Sequence, residues 1–282
     1  MPSALILSGG VAHDFPPLSV EVAEVLREAG IDAIVSDDPE RALADLDGVD
    51  LLVTNMLRWR MEVERYRDQR DRWGISLSEP SRAAILGHVE RGGGLLALHA
   101  SSICFDDWPE WKSLIGGAWV WGRSYHPPFG TIDVTLYPDR HPIVAGLPAG
   151  FTTDDEAYGF LDLEDDVVAL AVAAHGGAFH PLLWTRSFGR GRVVHDALGH
   201  DAMAYRTPAQ REIVRRGARW TIGLPIDSVA DIATAAARAD APDLADASDL
   251  AAVAPDASLA YCRRTPDEGR IETVEAQSSP AG

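Results

Sequence analysis

Gly92-Gly93-Gly94-Leu95-Leu96-Ala97-Leu98-His99-Ala100-Ser101-Ser102 is the stretch on which the reading of this 282-residue chain turns. A glycine turn leads into a short apolar run, and the run ends on a polar residue among small ones. A buried parallel strand delivers a side chain in this way to a sharp strand-to-helix turn, the nucleophile elbow. In amidotransferase-like α/β folds a cysteine occupies the tip. Here the tip is His99. The pattern predicts a site at the top of a parallel sheet whose chemistry is not thiol acyl transfer, because Ser101, Ser102 and Cys104 follow the tip and thiol chemistry needs a paired nucleophile on it. No glutaminase activity is expected, and Cys104 reads as a small buried hydrophobe.

The segments on either side repeat a strand–helix–strand rhythm. Ala4–Leu7 is apolar and runs into Ser8-Gly9-Gly10. An amphipathic stretch over Leu18–Leu26 closes at Gly30. Strands follow at Ile31–Val35 and Leu51–Thr54, joined by a helical turn near Pro39–Leu46, and a helix over Ser81–Glu90 precedes the Leu95–Leu98 strand. This alternation predicts crossover connections and a parallel sheet. Thr131–Leu136, Val167–Ala174, Leu182–Thr185 and Arg192–His195 are further strands, with turns at Gly176-Gly177 and Gly189-Arg190-Gly191. The glycine–arginine run has no following Lys-Ser/Thr and opens no helix, so it reads as a hairpin turn and not as a phosphate cradle. A helix over Pro208–Ile222 closes the domain.

Composition sets outer bounds. Hydrophobic residues make up 46%, enough for a sizeable core, and the net charge is −18. That charge argues against nucleic acid and anionic membranes as partners. Two cysteines, Cys104 and Cys262, form no CxxC pair and no disulfide framework, which suits a reducing compartment. The first apolar run is too short for a signal peptide or a membrane span and has no basic flank, so a cytoplasmic location is expected. Residues 226–282 are rich in Ala, Asp, Ser and Pro. They hold 11 acidic and 4 basic residues, −7 of the total charge. They read as an acidic, disordered tail behind a domain over 1–225.

Ligands of open α/β sheets bind beyond the carboxyl ends of the strands. His13 follows the first strand, His99 ends the fourth, and His200 follows the Arg192–His195 strand. On one rim, these three imidazoles would suit a divalent metal such as Zn or Mn, or proton transfer near neutral pH. Each taken alone is also an ordinary polar loop residue. Trp119-Val120-Trp121-Gly122-Arg123-Ser124-Tyr125-His126 offers aromatic faces for sugar C–H surfaces, with Arg123 and His126 for hydroxyls; it equally reads as a packing loop. Asp155-Glu156 offers a carboxylate as base or ligand, although adjacent acids are usually a solvated turn. Asp14 either orients His13 or caps the following helix. His141-Pro142 reads as a fixed turn.

Four patches together resemble the ThuA-like (trehalose utilisation) family: Gly9–Asp14; the Gly92–Ala100 elbow; His141–Pro148 with Asp155–Tyr158; and Pro181, Trp184 and Gly189–Val193 with Leu198-Gly199-His200-Asp201 and Tyr205. The resemblance spans about residues 4–225. It implies a single-domain α/β fold, flavodoxin-like or class I glutamine amidotransferase-like, with a parallel sheet flanked by helices. It also implies a role in carbohydrate catabolism, beside dehydrogenases that make 3-keto sugars. On that basis His99, Glu156 and His200 are expected to be catalytic. His13, Trp119, Trp121, Arg123, His126, Tyr158 and Asp201 are expected to hold the saccharide, and His13, His99 and His200 a metal. No nucleotide cofactor is expected. The chemistry expected is acid–base work on a disaccharide or keto-sugar, as an isomerase, lyase or hydrolase. A non-catalytic sugar- or partner-binding module is the alternative, and a homo-oligomer stays open.

Overall fold

The computed structural model describes residues 1–226; all but the first residue of the expected acidic tail, and Cys262 with it, lie outside the described residues. The elements run β1 (Ser3–Gly10), α1 (Phe15–Glu28), β2 (Asp32–Ser36), α2 (Pro39–Leu43), β3 (Leu51–Leu57), α3 (Arg67–Trp73), α4 (Glu79–Glu90) and β4 (Gly94–Leu98). They continue with α5 (Pro109–Ile115), β5 (Gly117–Ala118), β6 (Gly130–Leu136), β7 (Gly150–Asp155), β8 (Asp162–Leu163), β9 (Val168–His175), β10 (Ala178–Phe188), β11 (Gly191–Asp196) and α6 (Pro208–Thr221). β5 and β8 pair as a small separate ladder.

The main sheet has nine strands in the order β2-β1-β3-β4-β11-β10-β9-β6-β7. β2, β1, β3, β4 and β11 are parallel, as expected. β10, β9, β6 and β7 are antiparallel, so the hairpin-linked second half extends the expected parallel sheet into a mixed one. The physical reason is legible in burial. β3 and β4 are buried at every position, as strands covered on both faces must be. β6 alternates buried and exposed towards its end, with one face wet. Two-residue glycine turns join β9 to β10 and β10 to β11. Gly176 and Gly177 carry φ of 57° and 77°, the pair of positive values that a type I′ hairpin requires. Gly189-Arg190 joins β10 to β11 as the predicted hairpin turn.

Two cores lie on opposite faces of the parallel half. Leu18, Val22 and Val25 of α1 and Ile213, Val214 and Ala218 of α6 pack with Ile6, Val53 and Leu96 on one face. Leu43 of α2, Ile85 and Val89 of α4, and Trp111, Leu114 and Ile115 of α5 pack with Leu5, Leu52 and Leu95 on the other. Successive residues of one strand thus feed opposite cores, the period-two rule at work. No helix among the described residues is long and apolar enough to cross a membrane.

The antiparallel half curls. β7 stands four strands beyond β11, a distance of about 19 Å in a flat sheet. Yet the Asp155 carboxylate at the end of β7 accepts the backbone N–H of Gly199, just past β11, at 2.7 Å. The outermost strand therefore swings back over the carboxyl end of the parallel half.

Several histidines, one fully buried and two half-buried, have lowered pKa values. Burial pushes His195 down to about 3, with the nearby His99 adding to it; burial and Arg192 push His141 to about 4; burial and His180 push His175 to about 4. Their native values lie below the unfolded value near 6.5. The unfolded chain therefore binds more protons between about pH 3 and 6.5, and stability is lost as pH falls through that window. His195, fully buried, alone contributes a loss on the order of 3 kcal/mol at pH 4. Asp196, raised by burial to about 7, and Asp155, also raised by burial, work in the opposite direction, but the lowered histidines, His13, His88 and His180 among them, outnumber the two. The melting temperature is expected to drop steeply below about pH 6; a flat profile from pH 7 to 4.5 in a calorimetric series would disprove this.

Candidate functional site

The carboxyl rim of the parallel strands gathers four side chains. His13 lies on the loop after β1, His99 at the end of β4, His200 after β11, and Glu156 directly after β7. One ligating atom from each lies within 4.8 Å of every other. All three histidines thus share the predicted rim, joined by the carboxylate that the resemblance singled out.

His99 is the tip of the elbow. It is 3% exposed, has a φ of +44° and opens a 3-10 turn over His99–Ile103 instead of an α-helix. A positive φ is uncommon outside glycine, and here it turns the imidazole onto the rim. Its Nδ1 lies 2.7 Å from the Ala197 carbonyl oxygen. A carbonyl can only accept, so Nδ1 carries the proton and Nε2 faces the site. Nε2 is 3.6 Å from Glu156 Oε2 and 3.4 Å from the Tyr158 hydroxyl. Burial disfavours a charge on His99, but Glu156 and Asp155 more than offset it, and its pKa is raised.

His13 follows the Gly9-Gly10 turn, where φ reaches 100° and 138°. Its Nδ1 is 3.2 Å from the Val11 carbonyl, which again leaves Nε2 turned to the cluster; that atom is buried with no hydrogen-bond partner. Burial, then the neighbouring His99 and His200, lower His13 to about 3. Its ring centroid stands 5.0 Å from that of His99 and 4.6 Å from that of His200.

Glu156 Oε2 lies 3.3 Å from His200 Nδ1, while Oε1 faces His126 Nδ1 at 3.6 Å. Burial opposes its charge, yet His200, His99 and His126 hold its pKa well below the usual carboxylate range.

The backbone of residues 196–200 is the hub of this arrangement. Ala197 O anchors His99. Asp196 Oδ1 accepts from Leu198 N at 3.1 Å, and Gln210 donates to its Oδ2 at 2.8 Å. Asp155 Oδ2 accepts from Gly199 N at 2.7 Å, and its Oδ1 from His200 N at 3.1 Å and from Glu156 N at 2.8 Å. Asp155 is fully buried, and burial raises its pKa against the pull of His99 and these three donors. The doublet is therefore not a solvated turn: Asp155 points inward and Glu156 into the site.

An aromatic wall continues outward. Tyr158, 1% exposed, stacks on His126 at 5.3 Å, and Trp119 meets Tyr158 edge-on at 5.2 Å. Trp121 is 47% exposed and sits 6.3 Å from Trp119 and 5.7 Å from Trp59. Trp59 and Phe129, whose ring is 4.8 Å from His200, escaped the sequence reading because nothing local marks them.

Arg123, Asp201 and Asp14 bond otherwise than expected, while Cys104 and His141 sit as read. Arg123 turns from the rim: its Nε donates to Phe160 O at 3.2 Å and its Nη2 pairs with Asp162 at 3.4 Å. Asp201 accepts from Met203 N at 2.8 Å and Ala204 N at 3.1 Å, so it caps its own loop. Asp14 occupies the N-cap of α1 but makes no cap bond, and it is exposed. The His13 proton goes to the Val11 carbonyl instead. Cys104 is buried with Sγ 3.2 Å from the Met56 carbonyl, and burial pushes its thiol up to about 12, the condition of an inert thiol. His141 accepts from Ile143 N at 3.2 Å, a fixed turn as read.

A family model described as ThuA, trehalose utilisation, matches residues 3–221. The chain belongs to the ThuA family. A ThuA-like protein of Parabacteroides merdae shares 22% identity with this ThuA chain at a TM-score of 0.65, over 81% of this chain and 93% of that one. A second, from Bacteroides uniformis, shares 17% at 0.57, over 78% and 91%. A β-galactosidase from Rahnella sp. R3 shares 16% at 0.51, over 79% of the ThuA chain but 31% of its own, so the likeness is to one part of a larger enzyme. At these identities the likenesses establish the fold. No curated protein matches the sequence.

Proposed function

We propose that this ThuA protein is a cytoplasmic enzyme of carbohydrate catabolism that acts on a keto-sugar by acid–base chemistry at a divalent metal. The observation that carries the reading is the convergence of His13, His99, Glu156 and His200 within 4.8 Å. Three imidazoles and one carboxylate are a donor set suited to Zn or Mn. The unpartnered, buried Nε2 of His13 fits it further, since a neutral imidazole pressed against two others gains most from a shared cation. When bound, such an ion polarises a carbonyl or hydroxyl oxygen as a Lewis acid.

The remaining work falls to the chain. Glu156 would help hold the ion, and its Oε1, 3.6 Å from His126 Nδ1, would accept a proton from a carbon beside the carbonyl. His126, part-exposed at the mouth, exchanges that proton with solvent. Tyr158 supplies a hydroxyl beside His99, and Trp119 and Trp121 present flat faces to the sugar ring.

The test is metal analysis of the purified protein together with a screen of 3-keto disaccharides. About one Zn or Mn per chain and turnover of a keto-sugar are expected; a metal-free protein inert with added Zn and Mn would end the proposal. Trp121→Ala should weaken binding of the active sugar roughly tenfold, about 1.4 kcal/mol. It should leave unfolding unchanged, because the ring is nearly half exposed.

A further inference from the structure

We infer that Asp155 is a positioning residue that sets two of the four metal-ligating side chains at once, through the backbone. The inference rests on the metal reading above. Glu156 and His200 belong to segments 44 residues apart, one following β7 and the other β11. One carboxylate binds the N–H of both, and that of Gly199 between them, at 2.7–3.1 Å. Its two oxygens thus fix the distance between the two Cα positions from which the ligands project. Charged acceptors hold such donors more firmly than neutral ones.

The loop is built to receive it. Gly199 has a φ of +113°, and a Cβ there would stand 2.2 Å from the Tyr205 hydroxyl. Only glycine brings this backbone to the carboxylate. A carboxylate 0% exposed is costly unless fully satisfied. A turn that merely needed closing would be served by a neutral side chain; what the charge adds is stiffness between two ligand-bearing strand ends.

Asp155→Asn keeps size and shape but turns an N–H₂ towards an N–H donor. It is expected to raise the dissociation constant for Zn²⁺, measured against a chelator, by roughly 10- to 100-fold, the scale of lost outer support. Thr153→Ala, on the same strand but bound to Thr207, is expected to leave that constant unchanged. In wild type the amides of Gly199 and His200 should exchange slowly with deuterium, and in Asp155→Asn fast. Wild-type Zn²⁺ affinity in Asp155→Asn overturns the inference. If wild type takes up no Zn²⁺, the metal reading fails by itself; unprotected Gly199 and His200 amides in wild type, or unchanged exchange in the variant, then dispose of the clamp as well.

Discussion

His99→Asn is expected to lower turnover of the keto-sugar by roughly two orders of magnitude or more, the scale for a positioned proton-transfer group, and to release the metal. The substitution isolates chemistry from folding. At φ +44° an L-residue is strained, and asparagine tolerates that region better than most. His99→Ala removes the same function but leaves the Ala197 carbonyl buried without its donor, a cost of about 1–3 kcal/mol. The elbow tip is thus also a packing position, and the alanine variant should melt clearly below the asparagine one. Full turnover and full metal content in His99→Asn would show that His99 only fills the place of a missing nucleophile.

Gly10→Ala is expected to be the most damaging small change in the chain. Gly10 has a φ of 138°, and a Cβ there would stand 2.1 Å from the Leu57 carbonyl oxygen. Gly10 and Leu57 are register partners of β1 and β3, the two strands at the heart of the parallel half, so neither backbone can yield cheaply. Alanine at a positive φ with a backbone clash should cost roughly 3 kcal/mol or more. That lowers the melting temperature by about 10 °C for a domain of this size. Metal retention should fall with it, because His13 lies three residues on. A variant melting within about 2 °C of wild type would show that the turn relaxes and that the glycine is dispensable.

The parallel half and three of the four clustered side chains were legible because their signals are local. Glycine turns, apolar runs and the residue after each run place His13, His99 and His200 on one rim without any long-range fact. The Asp155-Glu156 pair offers a carboxylate on residue type, and the resemblance singles out Glu156, but its place on the rim is not legible: it follows β7, and only the curl of the antiparallel half brings β7 there. The buried place of Asp155 is hidden for the same reason: in the sequence it is one of two adjacent acids, a pattern that also reads as a solvated turn. Its partners Gly199 and His200 are distant in sequence, and no pattern around Asp155 announces them. Residue type alone points Arg123 to the sugar, and type does not reveal that Asp162 claims it. Asp201 could have been read better, since an aspartate two and three residues before free N–H groups commonly closes its own turn.

The return of β7 also sets a timetable. The clustered side chains stand at positions 13, 99, 156 and 200, so 200 residues must leave the ribosome before the last joins the first. Asp155 emerges long before the Gly199 and His200 amides that will occupy it, and loops this long close late in folding. A half-made chain can offer a cation only scattered imidazoles. If the site takes the proposed ion, loading belongs to the finished molecule, and a cell short of the ion would accumulate folded, empty protein.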